Sequence, residues 1–315
     1  MASYSYLGPV GTFCNQALLQ FTAGSETDTV PCISVRAAMD RVRDGECDYA
    51  VVPIENSVEG GVSATLDSLA YGKRLQIIGE TTVPVAFTLA ARPGTTLPNI
   101  RRVGTHSHAW AQCRNWMLDN LGDVSHVATA STADAARLLA AGHADDGAEL
   151  GFEAVLASSA AVSEYGLTPL VSDVADNHGA LTRFVLLSPP GQLPEPTGAD
   201  KTTIQVRPVR EMAGALHHLL QQFSSRGVNL SRIESRPDPA NPGEYSFSID
   251  LDGHILDRRV RGALHGLYRT AHDLRFLGSY PAADHHVPET DQANSNEEYL
   301  RADTWIDSIL HPKHD

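Results

Sequence analysis

"PPGQLPEPTGAD", residues 189–200, contains four prolines and two glycines and no apolar periodicity. Proline fixes φ and removes a backbone donor, so such a run continues neither a helix nor a central strand. Residues 191–200 read as a linker that divides the 315-residue chain into two parts of ordinary domain size. The order of elements changes across it. On its N-terminal side, short apolar runs alternate with amphipathic helices, the rhythm of an α/β layer structure with a largely parallel sheet. "YSYL" is a strand, and a helix follows it with Phe13, Ala17, Leu18 and Phe21 at helical spacing. The next helix has Ser34 as N-cap, Val35, Ala38, Met39 and Val42 on one face, and Gly45 as its stop.

The apolar stretch "LQIIGETTVPVAFTLAA" reads as strands that leave one lobe and enter another, with a hinge at about Glu80–Pro84. The expected organisation is residues 1–190 as one two-lobed domain, with 1–80 and 180–190 in the first lobe and 81–179 in the second. Beyond the linker, residues 201–281 give strand, helix, strand, strand, helix, strand: the βαββαβ array of a ferredoxin-like fold. Residues 282–315 are a polar tail. In it Ser295 and Glu298 form a capping box before a helix bearing Leu300, Trp305, Ile306 and Ile309.

The net charge is −14, and the 24 basic residues are scattered. That pattern lacks the electrostatic footprint of a nucleic-acid binder, so no nucleic acid is expected as partner. No window approaches the ~20 consecutive apolar residues of a membrane helix, and "MASYSYLGPVG" has neither a basic region nor an apolar signal core. The expectation is no membrane and a cytoplasmic protein. Cys14, Cys32, Cys47 and Cys113 form no C-x-x-C pair and read as reduced, buried thiols.

Three loops carry candidate chemistry. In "GPVGTF", Gly8 and Gly11 permit a tight turn, and Thr12 with the following helix N-terminus offers donors to an anion. In "PIENSVEGG", Glu55, Asn56 and Ser57 follow a buried apolar run and are expected to project together from the strand end. In "GTHSHAWAQC", Thr105 precedes Gln112 by seven residues. His106-x-His108 has no third ligand at known metal spacing and reads as a surface or supporting pair, as do His217–His218 and His285–His286. There is no P-loop, dinucleotide fingerprint, nucleophile elbow or H-E-x-x-H, so neither metal nor cofactor is expected.

Taken in order, "YLGPVGTF" (6–13), "VPIENSVEGGVSATLDSL" (52–69), "THSHAWAQC" (105–113) and "LTRFVLL" (181–187) resemble the prephenate dehydratases. "GALHHLL" (214–220) and "RIESRP" (232–237) resemble the two motifs of the phenylalanine-sensing ACT domain in the same enzymes. The resemblance covers about residues 4–281. It implies a catalytic domain like the type II periplasmic binding proteins followed by an ACT domain, in a homodimer or homotetramer. The implied reaction converts prephenate to phenylpyruvate, water and carbon dioxide in phenylalanine biosynthesis, with L-phenylalanine as effector.

By position, the resemblance implies that Thr182 donates to the departing hydroxyl, with Glu55 and Arg183 as further catalytic candidates. Arg183 pairs either with a substrate carboxylate or with Glu55. Asn56, Ser57, Thr105, Gln112, Thr12 and Phe184 are the implied substrate-binding residues, and Phe184 is expected to keep part of the pocket dry. Gly214, Ala215, Leu216, Glu234, Ser235, Arg236 and Pro237 are implied for phenylalanine. Thr105 stands where many members have serine, Ala180 where asparagine is frequent, and Ala213 where the first ACT motif has proline. Two alternatives stay open: an arogenate dehydratase, running the same elimination on the amino-acid analogue, and a non-catalytic amino-acid sensor.

Overall fold

Alternating strands and capped helices build the first 188 residues. In the computed structural model, which describes residues 1–23, 25–209, 213–238, 241 and 244–311, β1 (Ser3–Leu7), α1 (Phe13–Thr22), β2 (Asp28–Cys32), α2 (Val35–Arg43) and β3 (Tyr49–Asn56) follow in turn. Ser34 caps α2, its Oγ accepting from the Ala37 N–H at 3.1 Å, and Val35, Ala38, Met39 and Val42 form the buried face. β4 (Gly60–Gly61), α3 (Ser63–Tyr71) and β5 (Gln76–Pro84) come next. β5 runs unbroken through the expected hinge, and the chain turns instead at residues 85–87, before β6 (Thr88–Ala91).

β7 (Arg102–Thr105), α4 (Ser107–Gln112), α5 (Arg114–Leu121), β8 (Ser125–Ala128), α6 (Thr132–Ala141), β9 (Ala154–Ala157), α7 (Ser159–Glu164) and β10 (Thr168–Val171) follow, and then β11 (Leu181–Ser188). One sheet has the order β2-β1-β3-β11-β5, with β4 paired to β3. The other has the order β10-β6-β9-β7-β8. The chain therefore leaves the first sheet after β5 and returns to it through β11. In the first sheet β1 runs parallel to β2 and β3. The second is mixed rather than largely parallel, because β6 runs antiparallel to both β9 and β10.

One compact unit comprises residues 1–65 and 81–186, and the other residues 66–80 and 187–315. In the first unit, Tyr6, Cys14, Ala17, Leu18, Val51, Val83 and Phe184 pack under the first sheet. Val85, Phe87, Leu89, Ile100, Val103, Met117 and Leu156 belong to a core of the second, and Phe13 packs against both clusters. Each fully buried Val, Leu, Ile, Phe or Met among them contributes roughly 1.5–3 kcal/mol. Gly11 sits at φ +85°, and a β-carbon there would lie 2.8 Å from Ala161 Cα, so this turn requires glycine.

In the second unit, β12 (Asp200–Pro208), α8 (Ala215–Ser224), β13 (Leu230–Pro237), β14 (Tyr245–Asp252), α9 (Arg258–Thr270) and β15 (Ala271–Pro281) form a βαββαβ array. Its antiparallel sheet has the order β13-β14-β12-β15. Leu219 and Phe223 of α8 and Val260, Ala263 and Leu267 of α9 pack with Ile204, Val206, Ile249 and Leu251. Segment 66–80, expected in the first lobe, groups here for identifiable reasons. Arg236 makes a bidentate ion pair with Asp67, Arg275 donates to the Leu69 and Gly72 carbonyls at 2.8 Å each, and Lys201 Nζ lies 2.8 Å from Glu80 Oε1. α10 (Asn296–Leu310) starts at Ser295, whose Oγ accepts from the Glu298 N–H, and none of its residues is buried.

Candidate active site

A cavity of about 250 Å³ opens within the first unit, between the ends of β1 and β3, the start of β11 and the starts of α1, α4 and α6. Not every motif residue reaches it. On β3, Pro53 and Asn56 line the cavity while Glu55 does not. On β11, Thr182 and Phe184 line it, and Arg183 between them does not.

Asn56 Nδ2 donates to Thr182 Oγ1 at 2.8 Å, and Asn56 Oδ1 accepts from the N–H groups of Val58 and Glu59 at 2.9 and 3.2 Å. The amide is fixed by its own turn and in turn orients the hydroxyl. Thr182 is buried and uses a lone pair toward Asn56, which leaves its proton for a ligand.

Glu55 and Arg183 meet each other away from the cavity lining. Arg183 Nε lies 3.2 Å from Glu55 Oε2, an ion pair whose angle is too poor for a good hydrogen bond from Nε. Of the two pairings left open in the sequence, the one with Glu55 is formed here. Ser57 is also outside the lining. Its N–H donates to the Leu181 carbonyl and its Oγ accepts from the Leu181 N–H, both at 2.9 Å, which ties the end of β3 to the start of β11. Thr105 is fully buried, and its hydroxyl donates to the Leu156 carbonyl at 2.8 Å, so this motif hydroxyl serves the second sheet.

Thr12 and Gln112 do line the cavity. Thr12 caps α1, accepting from the Asn15 N–H, and the first-turn N–H groups of Phe13 and Cys14 remain for an anion. Gln112 Nε2 donates to Glu59 Oε1 at 3.1 Å. Ala130, Ser131 and Thr132 bring the N-terminus of α6 to the same cavity, and Leu7, Phe13, Val85, Phe87 and Phe184 supply apolar wall.

The sequence reading missed Glu59, His106 and His108 as lining residues. His108 Nδ1 is 2.6 Å from Glu59 Oε2, and the two imidazoles meet edge to face with centroids 4.9 Å apart. His106 caps α4 through Nδ1, which accepts from the His108 N–H at 3.3 Å. Burial, aided by the nearby His108 ring, pushes His106 below the usual histidine range. The accepting Nδ1 assigns its proton to Nε2. The signals were present in "SVEGG" and "THSH", but the pairing joins residues far apart in the chain. Burial pushes the Cys14 and Cys113 thiols up to about 12, so neither is poised as a nucleophile. All four cysteines are free and buried.

The implied effector residues fall into two groups. Gly214 sits at φ +88° as N-cap of α8, where Ala215 and Leu216 border a surface hollow with Pro208, His217, Leu220 and Phe247. Glu234, Ser235, Arg236 and Pro237 lie on β13, an edge strand, and do not border that hollow. Ser235 and Pro237 are exposed.

Two sheets around this cavity and a separate βαββαβ array make up the architecture of the chain. The family model for prephenate dehydratase matches residues 4–192. The prephenate dehydratase of Amycolatopsis methanolica is 43% identical over 310 residues, covering 98% of each chain, and that of Corynebacterium glutamicum is 39% identical over 309 residues, covering 96% of this chain and 94% of its own. The crystal structure of prephenate dehydratase from Arthrobacter aurescens in complex with L-Phe superposes with a TM-score of 0.90 at 49% identity, covering 98% of this chain and 99% of that one. The chain belongs to the prephenate dehydratase family. It is a lyase whose activity is the dehydration of prephenate with loss of carbon dioxide. No described helix is long and apolar enough to cross a membrane.

Proposed function

We propose that the cavity holds prephenate with its leaving hydroxyl at Thr182 and its carboxylates at the N-termini of α1 and α6. The observation that carries this assignment is the Asn56–Thr182 hydrogen bond inside an otherwise largely apolar wall. In the reaction the ring carboxylate leaves as carbon dioxide, its bonding electrons enter the ring, and the C–O bond opposite breaks. The departing hydroxide takes up a proton and leaves as water. Aromatisation supplies the driving force, so the protein has only to hold two anions and stabilise the oxygen as it gains charge. Thr182 is too weak an acid to give up its proton outright and acts as an oriented donor or relay. His106, with its proton on Nε2, adds a neutral donor, and Phe184 with its apolar neighbours limits water near the leaving carboxylate.

Glu55 and Arg183 act in this reading as support for β3 and β11 rather than on substrate, Ser57 as a tie between those strands, and Thr105 as a brace of the second sheet. Thr12 and Gln112 orient the substrate's anionic groups. The domain is two-lobed in the manner of type II periplasmic binding proteins, a reading supported by the chain's departure after β5 and return through β11.

The βαββαβ array serves as an ACT domain that binds L-phenylalanine. The exposed edge strand β13 and the glycine-capped start of α8, which do not border one hollow in a single chain, support a site completed between subunits of a dimer or tetramer. Buried reduced thiols support cytoplasmic residence. The test is phenylpyruvate formation from prephenate by the purified chain, with phenylalanine titrated into the assay and into a sedimentation run. Turnover that phenylalanine suppresses, from an oligomer, supports the whole reading, whereas phenylalanine without effect on rate or assembly removes the ACT part.

A further inference from the structure

Glu59 is the one carboxylate among the described residues that line the cavity, and no lysine or arginine lines it. Both Glu59 oxygens are occupied: Oε2 meets His108 Nδ1 at 2.6 Å and Oε1 accepts from Gln112 Nε2 at 3.1 Å. The acid comes from the loop after β3, and both of its partners come from α4. A bare carboxylate in the wall of a dianion site repels the substrate, and the cavity's volume of about 250 Å³ leaves every part of a ligand inside the ~8–10 Å range of screening.

Prephenate and its amino-acid analogue, arogenate, share the ring and both carboxylates. They differ at one carbon, which bears a keto oxygen in the first and an ammonium in the second. An unengaged Glu59 oxygen would give that ammonium a partner and would oppose the dianion. An oxygen already held by His108 has its lone pair engaged and is less available as a partner for that ammonium.

We propose that Glu59, engaged by His108 and Gln112, is a specificity-determining residue that selects the keto acid over the amino acid, with His108 as the positioning residue that withholds its second oxygen. Selectivity of this kind works by denying the competitor a charge partner. The inference rests on the dehydratase reading of the same cavity.

The test compares kcat/KM for prephenate and arogenate in the wild-type chain, His108→Ala, His108→Gln and the double variant His108→Ala/Glu59→Gln. The expected result is a shift of the prephenate-to-arogenate ratio in His108→Ala by roughly tenfold toward arogenate, carried mainly by KM, as a gained or lost charge contact of about 1.4 kcal/mol gives. His108→Gln keeps an N–H within reach and retains most of the preference. The double variant, lacking the charge, returns to near the wild-type ratio. His108 is 66% exposed at its side chain, so the fold tolerates its loss, and matching circular dichroism melts confirm that. An unchanged ratio in His108→Ala, equal losses on both substrates, or a shift that persists in the double variant overturns the proposal. A wild-type chain that turns over neither substrate instead overturns the dehydratase reading, and this inference with it.

Discussion

Asn56 and Thr182 stand 126 residues apart in the chain and 2.8 Å apart in the cavity, with the amide donating and the hydroxyl accepting. The direction of that bond matters, because it spends a lone pair of Thr182 and leaves its proton for another acceptor, the leaving oxygen in the function proposed above. Replacing Thr182 by alanine is expected to lower kcat by about 10²–10³ while KM changes little, the range for loss of one oriented donor. Thr182→Ser should retain most turnover. Steady-state kinetics on prephenate decide the matter, and a kcat near that of the wild type in Thr182→Ala would remove Thr182 from the chemistry.

The Glu55–Arg183 pair lies off the cavity, with 35% exposure at the glutamate side chain and 9% at the arginine. Breaking a fully buried pair costs about 3–5 kcal/mol, and the exposed acid lowers that to about 2 kcal/mol here. Glu55→Gln is therefore expected to lower the thermal midpoint with little change in KM. A tenfold rise in KM at unchanged thermal midpoint would return Glu55 to the substrate.

Arg236 grips Asp67 with Nε and Nη2, at 2.9–3.1 Å. Asp67 belongs to α3, whose first residue, Ser63, follows Gly61 by two positions in the chain leading from the Asn56–Glu59 loop. If phenylalanine acts through β13, this pair is a route by which it reaches that loop. Asp67→Asn is expected to leave phenylalanine binding in calorimetry, to keep the uninhibited rate, and to lower the maximal inhibition. Full inhibition in the variant would show that the signal travels elsewhere.

His106 titrates below its usual 6.5, with burial as the leading cause. The folded state therefore favours the neutral ring. That contribution to stability is fully present above about pH 6.5 and is lost as the pH falls from there through the folded value. Protonation also removes the Nδ1 acceptor that caps α4. An NMR titration of the His106 ring should give a midpoint below 6.5, and a midpoint above it would contradict the buried, accepting ring.

Local chemistry made much of the fold legible. Ser34 and Ser295 cap the helices they were expected to cap, the proline-rich run separates β11 from β12 without a helix or strand, and the βαββαβ order follows from periodicities a single element long. The turn after β5 was displaced from its expected position because Gln76–Pro84 is one continuous strand, and apolar composition does not mark where such a strand stops. The site was legible as a set of loops but not as a set of side chains. "ENS" and "TRF" each look like one functional unit, yet the two-residue period of β11 sends Thr182 and Phe184 to the cavity and Arg183 elsewhere, and at the end of β3 Asn56 lines it while Glu55 does not. Thr105 was lost to the backbone of Leu156, and the Glu59–His108 contact was hidden because only tertiary structure joins β3's loop to α4.

A cavity that offers backbone amides to a dianion, and no lysine or arginine among the described residues that line it, lies in a chain of net charge −14. Capture at close range then works against repulsion at long range. Salt screens the long-range part while leaving the buried amides nearly untouched. The association rate of prephenate should consequently rise with ionic strength, the reverse of the behaviour of enzymes that steer anions with rings of basic side chains. Stopped-flow binding between about 20 and 200 mM salt reads that slope directly.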